Sequence, residues 1–181
     1  MIEGEALVLP QEAAGAAKAY LRVERADEDG LIAGLVAAAA ELCEAFIAAP
    51  LLERDFSETI PAGRAWRRLG RGPVRAITQV EAVPDEGPAQ ALPAADYGID
   101  IDISGDGWVR VAASGEGRRI RVGYRAGLAA GWADLPAALR QGILRLAAHF
   151  YTNRAADGAR GSEPPAAVAA LWRPFRRLRL H

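Results

Sequence analysis

Cysteine occurs once in this chain of 181 residues, at Cys43, so no internal disulfide can form and a packed core has to hold the fold. Cys43 falls on the patterned face of a helix and reads as a small buried hydrophobe, in keeping with synthesis in a reduced, cytoplasmic compartment. Histidine occurs only at His149 and His181, neither with cysteines or spaced carboxylates of ligand type nearby, which argues against a metal cluster. His149, beside Phe150 and Tyr151, reads as a helix-packing residue and not as a general base. Lysine appears only as Lys18; every other basic residue is arginine, which together with abundant alanine reflects a GC-rich genome more than selection for binding.

Long uninterrupted apolar runs are also missing. The longest apolar stretch, Leu31 to Ile47, is broken by Glu41 and Glu44 and falls short of the roughly 20 apolar residues that span a bilayer. The acidic start, Met1-Ile2-Glu3-Gly4-Glu5, is unlike a signal peptide, and no membrane partner is expected. Ser57, Ser104, Ser114 and Ser162 lie in no nucleophile-elbow context. The glycine sets Gly70-Arg71-Gly72 and Gly115-Glu116-Gly117 lack the lysine and the strand-to-helix context of a phosphate loop. Asp100, Asp102 and Asp106 have the residue type of a calcium loop, but Asp100 and Asp102 share a strand face and Gly105 and Gly107 fit a plain hairpin. Neither catalysis nor a cofactor is expected.

Half the residues are apolar, and the length suits one domain with a sizeable core. The net charge is −1, yet residues 1–60 hold four basic and twelve acidic side chains against eighteen and eleven in the remainder. That asymmetry suits head-to-tail contact between copies, or a large charged partner.

Helix periodicity marks Gln11 to Arg22, and more strongly Leu31, Ile32, Leu35, Val36, Ala39, Leu42, Cys43, Phe46 and Ile47, with Asp27 as N-cap and an end before Pro50. Period-2 patterns then predict strands at 54–60, 65–69, 74–83, 97–103, 108–111 and 118–125, with Val74, Ala76, Thr78, Val80 and Ala82 on one face of the third and a mobile loop from Pro84 to Pro93. Helix returns with Asp134 as cap and Pro136 in the first turn, runs to about Arg154 and, after the loop 155–161, gives way to a short closing helix. The expected fold class is α+β: a bundle of about four helices (11–49 and 134–173), an antiparallel β block inserted at about 51–125 between the second and third, and a C-terminal arm at 173–181, all in one domain.

Two basic features stand out. In the β block, Arg64, Arg67, Arg68 and Arg71 surround Trp66, a mixture able to hold phosphate and stack bases, although Glu58, Asp100 and Asp102 on the same strands would repel a nucleic-acid backbone. At the end, Trp172, Arg173, Phe175, Arg176, Arg177 and Arg179 form an arginine-aromatic arm without an acidic residue. Burying its guanidiniums unpaired would be costly, so the arm is expected to insert into a partner, with Phe175 as anchor and the arginines on carboxylates.

Three stretches resemble the head-tail connector (adaptor) proteins of tailed bacteriophages, prophages and gene transfer agents. Ala17 to Val23 followed by Asp27 to Ile32 resembles that family's first helix, acidic turn and long second helix. Pro73 to Val80 is similar to its proline-led strand. Leu135 to Ile143 with His149-Phe150-Tyr151, then Pro165 to Val168 and Pro174 to Arg177, resembles its third helix and closing segment. The resemblance implies a homo-oligomeric ring, a dodecamer, between the portal protein and the tail or stopper protein. DNA would pass through it without sequence-specific contact. The subunit would be made in the bacterial cytoplasm and assembled into the neck of the particle, with the arm reaching the portal or a neighbouring subunit. A small non-sequence-specific nucleic-acid-binding protein, using the Arg/Trp-rich strands and the arginine arm, is the alternative.

Overall fold

The computed structural model describes residues 1–112, 119–153 and 164–177. The predicted turn 114–117, Arg118, Arg154, the loop 155–161, Ser162, Arg179 and His181 lie outside the described residues. The fold is α+β, with four helices and antiparallel sheets, the strands falling almost wholly between the second and third helices. Two compact units are formed, one from Met1–Ala6 with Leu52–Leu128, the other from Leu7–Leu51 with Ala129–His181.

The helical unit holds α1 (Gln11–Leu21), α2 (Asp29–Ile47), α3 (Ala137–Asn153) and α4 (Ala166–Trp172). Ile32, Val36, Ala39, Ala40, Cys43 and Ile47 are the buried stripe of α2, at the three- and four-residue spacing that puts side chains on one helix face. Leu139, Ile143, Leu146 and Ala147 are buried on α3, which packs against α2. With its preceding turn, α2 is long and apolar enough by length and composition to cross a membrane, which differs from the sequence expectation. In the structure its buried face belongs to the core of the bundle.

Two caps differ from expectation. Asp27 lies inside a 3-10 turn, Ala26–Glu28, and pairs with Arg25, so Glu28 occupies the N-cap position of α2 without a side-chain cap. Asp134 sits in the turn before α3, and the carbonyl of Pro136 accepts the first helical N–H groups, from Leu139 and Arg140.

The β unit contains a five-stranded sheet of order β1-β2-β8-β4-β5 and a three-stranded sheet of order β3-β7-β6, with antiparallel neighbours throughout. The strands are β1 (Ile2–Gly4), β2 (Arg54–Pro61), β3 (Arg67–Arg68), β4 (Val74–Val83), β5 (Gln90–Ala91), β6 (Tyr97–Ile101), β7 (Gly107–Val111) and β8 (Arg119–Ala126). Phe56, Val74, Val80, Ile120, Val122 and Tyr124 from the first sheet meet Val109 and Val111 from the second, and Leu69 just after β3, in one core.

The predicted face of β4 is not the observed one. Register shifts fall between Val74 and Ala76 and between Ile77 and Gln79, so Arg75 and Thr78 are extra residues opposite β8. Each bulge moves the inward face by one position, and Val74, Ile77 and Val80, three apart, point to the core. The loop expected to be mobile contains β5, paired with β4 through Glu81–Ala91 and Ala82–Gln90.

The charge asymmetry between chain halves does not survive folding. Because each unit draws on both halves, the β unit holds 11 basic and 13 acidic residues and the helical unit 11 and 10.

Candidate partner-binding surfaces

The arm begins in the core of the helical unit. Trp172 is fully buried, its Nε1 donating to the Leu139 carbonyl at 3.4 Å and its ring 5.8 Å from that of Phe46. Gly142 makes this possible: a Cβ at that position would overlap the indole. Trp172 is therefore a core residue of its own subunit, which corrects its assignment to a partner interface. Its arginine-rich neighbourhood argued for exposure, but α4 buries one face and the arginines follow it.

Beyond Trp172 the chain makes a 3-10 turn, Arg173–Phe175. Arg173 and Arg176 are exposed, while Phe175 and Arg177 are half-buried. The Arg176 guanidinium stands 5.9 Å from the centroid of Phe46, and the Arg177 backbone N–H donates to the Ile47 carbonyl at 2.9 Å. These contacts hold the root of the arm against the end of α2. Arg179 lies outside the described residues.

In the β unit the predicted arginines separate into different environments. Arg68 pairs with Asp106 at 3.3 Å. Arg71 is exposed beside the Tyr124 hydroxyl. Burial, and then the neighbouring Glu58 carboxylate, push the Tyr124 hydroxyl far above its ordinary value. Glu58 itself is buried and accepts from the Gly70 N–H at 2.6 Å and the Tyr124 O–H at 3.2 Å.

Arg64 and Arg67 are exposed, and among the described residues neither has a carboxylate partner. Arg64 lines a pocket of about 310 Å³ with Tyr97, Gly98 and Arg110, none of which sequence reasoning picked out as a site residue. Arg110 stacks on Trp66 at 4.6 Å, and a Cβ at Gly98 would meet both side chains, so the absence of a side chain at position 98 leaves room for the stacked pair. Pairing of Gly98 with Arg110 across β6 and β7 is the tertiary step that gathers these residues.

Other polar groups have structural work. Asp102 accepts from Trp108 Nε1 at 2.9 Å and from the backbone N–H groups of Ser104 and Asp106 at 2.8 and 3.0 Å, so its carboxylate organises the hairpin turn. His149 is exposed and bonds Asn153 one helical turn on. Among the described residues, no group of three His, Cys, Asp or Glu is placed to hold a metal ion. A second groove, of about 630 Å³, runs between α1 and α2 past Ala14, Gly15, Gly30 and Ala33 to the Lys18–Asp29 ion pair.

No protein-family model and no curated protein matches the chain. Solved structures do. A chain in the neck of an empty gene transfer agent particle, computed with C6 symmetry, is 27% identical with a TM-score of 0.80, covering 100% of this chain and 97% of that one. A chain in the virion of the native gene transfer agent particle is 26% identical with a TM-score of 0.76 at the same coverage. A third, in the neck of the native particle computed with C12 symmetry, is 25% identical with a TM-score of 0.74, again at 100% and 97%. A shared fold over the whole chain, with sequence identity of 25 to 27% beside it, bears out the resemblance to the head-tail connector (adaptor) family.

Proposed function

We propose that this chain is a structural protein of the neck of a phage-like particle: a connector whose copies form a ring between the portal and the tail or stopper, leaving a passage for DNA. The observation that carries the reading is the full-length likeness to chains in gene transfer agent necks computed with C6 and C12 symmetry, which supports a ring of six or twelve copies, twelve being the number the resemblance implies. Both units together act as one connector domain. The role is structural and not catalytic, and the subunit is made in the bacterial cytoplasm before it joins the particle.

Arg173, Phe175, Arg176, Arg177 and Arg179 form the partner-seeking arm, which reaches the portal or a neighbouring subunit. A root fixed on α2 by the Arg177 bond supports this, because a tethered arm loses less conformational freedom on docking than a free one. DNA passes through the ring without sequence-specific contact.

Light scattering and negative-stain imaging of the purified chain, at high concentration and with a portal protein, test the reading. Rings, alone or on the portal, are the expected result. A monomer that ignores the portal yet binds DNA tightly at low salt, with affinity falling steeply as salt rises, would overturn it in favour of a nucleic-acid-binding protein.

A further inference from the structure

We infer that the Arg64–Arg110 pocket receives the acidic tip of the β4–β5 hairpin, Asp85 and Glu86, from the next copy of the chain. The inference rests on the ring reading above and names one contact by which the ring would close.

The pocket has the chemistry of a carboxylate receptor. Arg64 Nε donates to the Ala112 carbonyl at 3.1 Å, which fixes the side-chain stem and leaves the outer nitrogens of the fork available. Stacking on Trp66 holds Arg110 by its face, and a stacked guanidinium keeps its N–H edge for an in-plane acceptor. Among the described residues neither arginine has a carboxylate partner, whereas Arg68, Arg75, Arg121 and Arg125 of the same unit are all paired.

The surroundings favour a protein group over a nucleic-acid backbone. β6 is the terminal strand of its sheet, and along it Ile99 and Ile101 are 46% and 39% exposed, with Ile103 fully exposed just beyond. An apolar edge beside a basic pocket matches a peptide segment, which brings apolar groups along with its charges, better than a continuous run of phosphates.

The hairpin tip supplies the complement. Pro84-Asp85-Glu86-Gly87-Pro88 is exposed throughout, Gly87 takes a positive φ of 97° that turns the chain, and neither acid is paired among the described residues. The flanking prolines offer apolar rings to the β6 edge. Tip and pocket are different patches of one unit, so the contact is heterologous, the kind that closes a ring when repeated.

The test uses the assembly reaction described above, with circular dichroism as the control for folding. Arg64→Glu with Arg110→Glu, and separately Asp85→Lys with Glu86→Lys, should each lower the assembled fraction at least about tenfold, since like charges then face each other. The four changes combined should restore it, and an equimolar mixture of the two double variants should assemble where neither does alone. Wild-type rings that are indifferent to both reversals would overturn the inference and leave the ring reading standing. Loss of duplex DNA binding in Arg64→Glu with Arg110→Glu, with ring formation unchanged, would overturn it in favour of phosphate. A wild-type chain that forms no ring, alone or on the portal, would sink the ring reading and this inference with it.

Discussion

Trp172 packs the nitrogen side of its indole against the bare backbone of Gly142, thirty residues earlier in the chain, and its indole N–H reaches the Leu139 carbonyl one turn before that glycine. A methyl group at Gly142 has nowhere to go except into the indole. Gly142→Ala should therefore destabilise the helical unit by about 1–3 kcal/mol despite alanine's better helix propensity, and Trp172→Ala by about 3–5 kcal/mol, since overpacking and cavity formation both act on a close-packed core. Denaturant unfolding followed by far-UV circular dichroism measures both. Phe175→Ala, at a half-buried position, should cost about 1 kcal/mol or less and register in assembly instead.

The arm should divide sharply at Trp172. Removing Arg173 to His181 takes away the Arg177-to-Ile47 backbone bond, worth about 0.5–1.5 kcal/mol, and the Arg176 contact with Phe46, but leaves the buried indole in place. Such a truncation should keep its helical circular dichroism and lose assembly. Removing Trp172 as well should unfold the helical unit, and a folded product would show that α4 is dispensable to the core.

Glu58 is a buried carboxylate whose oxygens receive the Gly70 N–H and the Tyr124 O–H. Glu58→Ala removes the acceptor from two donors at once and should cost the β unit about 2–4 kcal/mol. Tyr124→Phe keeps the ring stacked 5.8 Å from Phe56 and should cost about 1–2 kcal/mol, because the carboxylate keeps its bond from Gly70. Equal losses in the two variants would mean that the tyrosine hydroxyl carries the whole network.

Elements with a clean period were legible in the sequence. The stripe from Ile32 to Ile47 placed α2 within two residues, and β2 and β8 followed from alternation. β4 was found but its face was not, since two bulges reset an alternation that Ile77 and Val83 had already blurred. β1 and β5 are too short for any period and exist only because β2 and β4 offer them an edge. Trp172 was misplaced for a related reason. Local composition described an exposed tail, while the residue that buries the indole, Gly142, lies on another helix. The pocket was legible in part: Arg64 and Trp66 came from composition, but Tyr97 and Arg110 join them only through the β6–β7 register.

High pH should destabilise the protein in two stages. Burial, and secondarily the neighbouring Glu44 carboxylate, push the Cys43 thiol far above its ordinary value of 9.0, and Tyr124 is raised likewise from 10.0. Both groups stay protonated in the folded chain at pH values where the unfolded chain has already released its protons. The unfolded state then binds fewer protons, so stability is fully present below pH 9.0, falls as pH rises past it, and falls faster above pH 10.0, each group adding a slope of up to about 1.4 kcal/mol per pH unit. Urea unfolding between pH 7 and 11 checks this. Cys43→Ala should remove the first stage and leave the second, apart from the cost of its missing sulfur at every pH. The same burial should slow labelling of Cys43 by a thiol reagent about a thousandfold or more relative to the unfolded chain, because reaction has to wait for the core to open. Rapid labelling at pH 8 under native conditions would mean that α2 separates from the bundle far more readily than its packing implies.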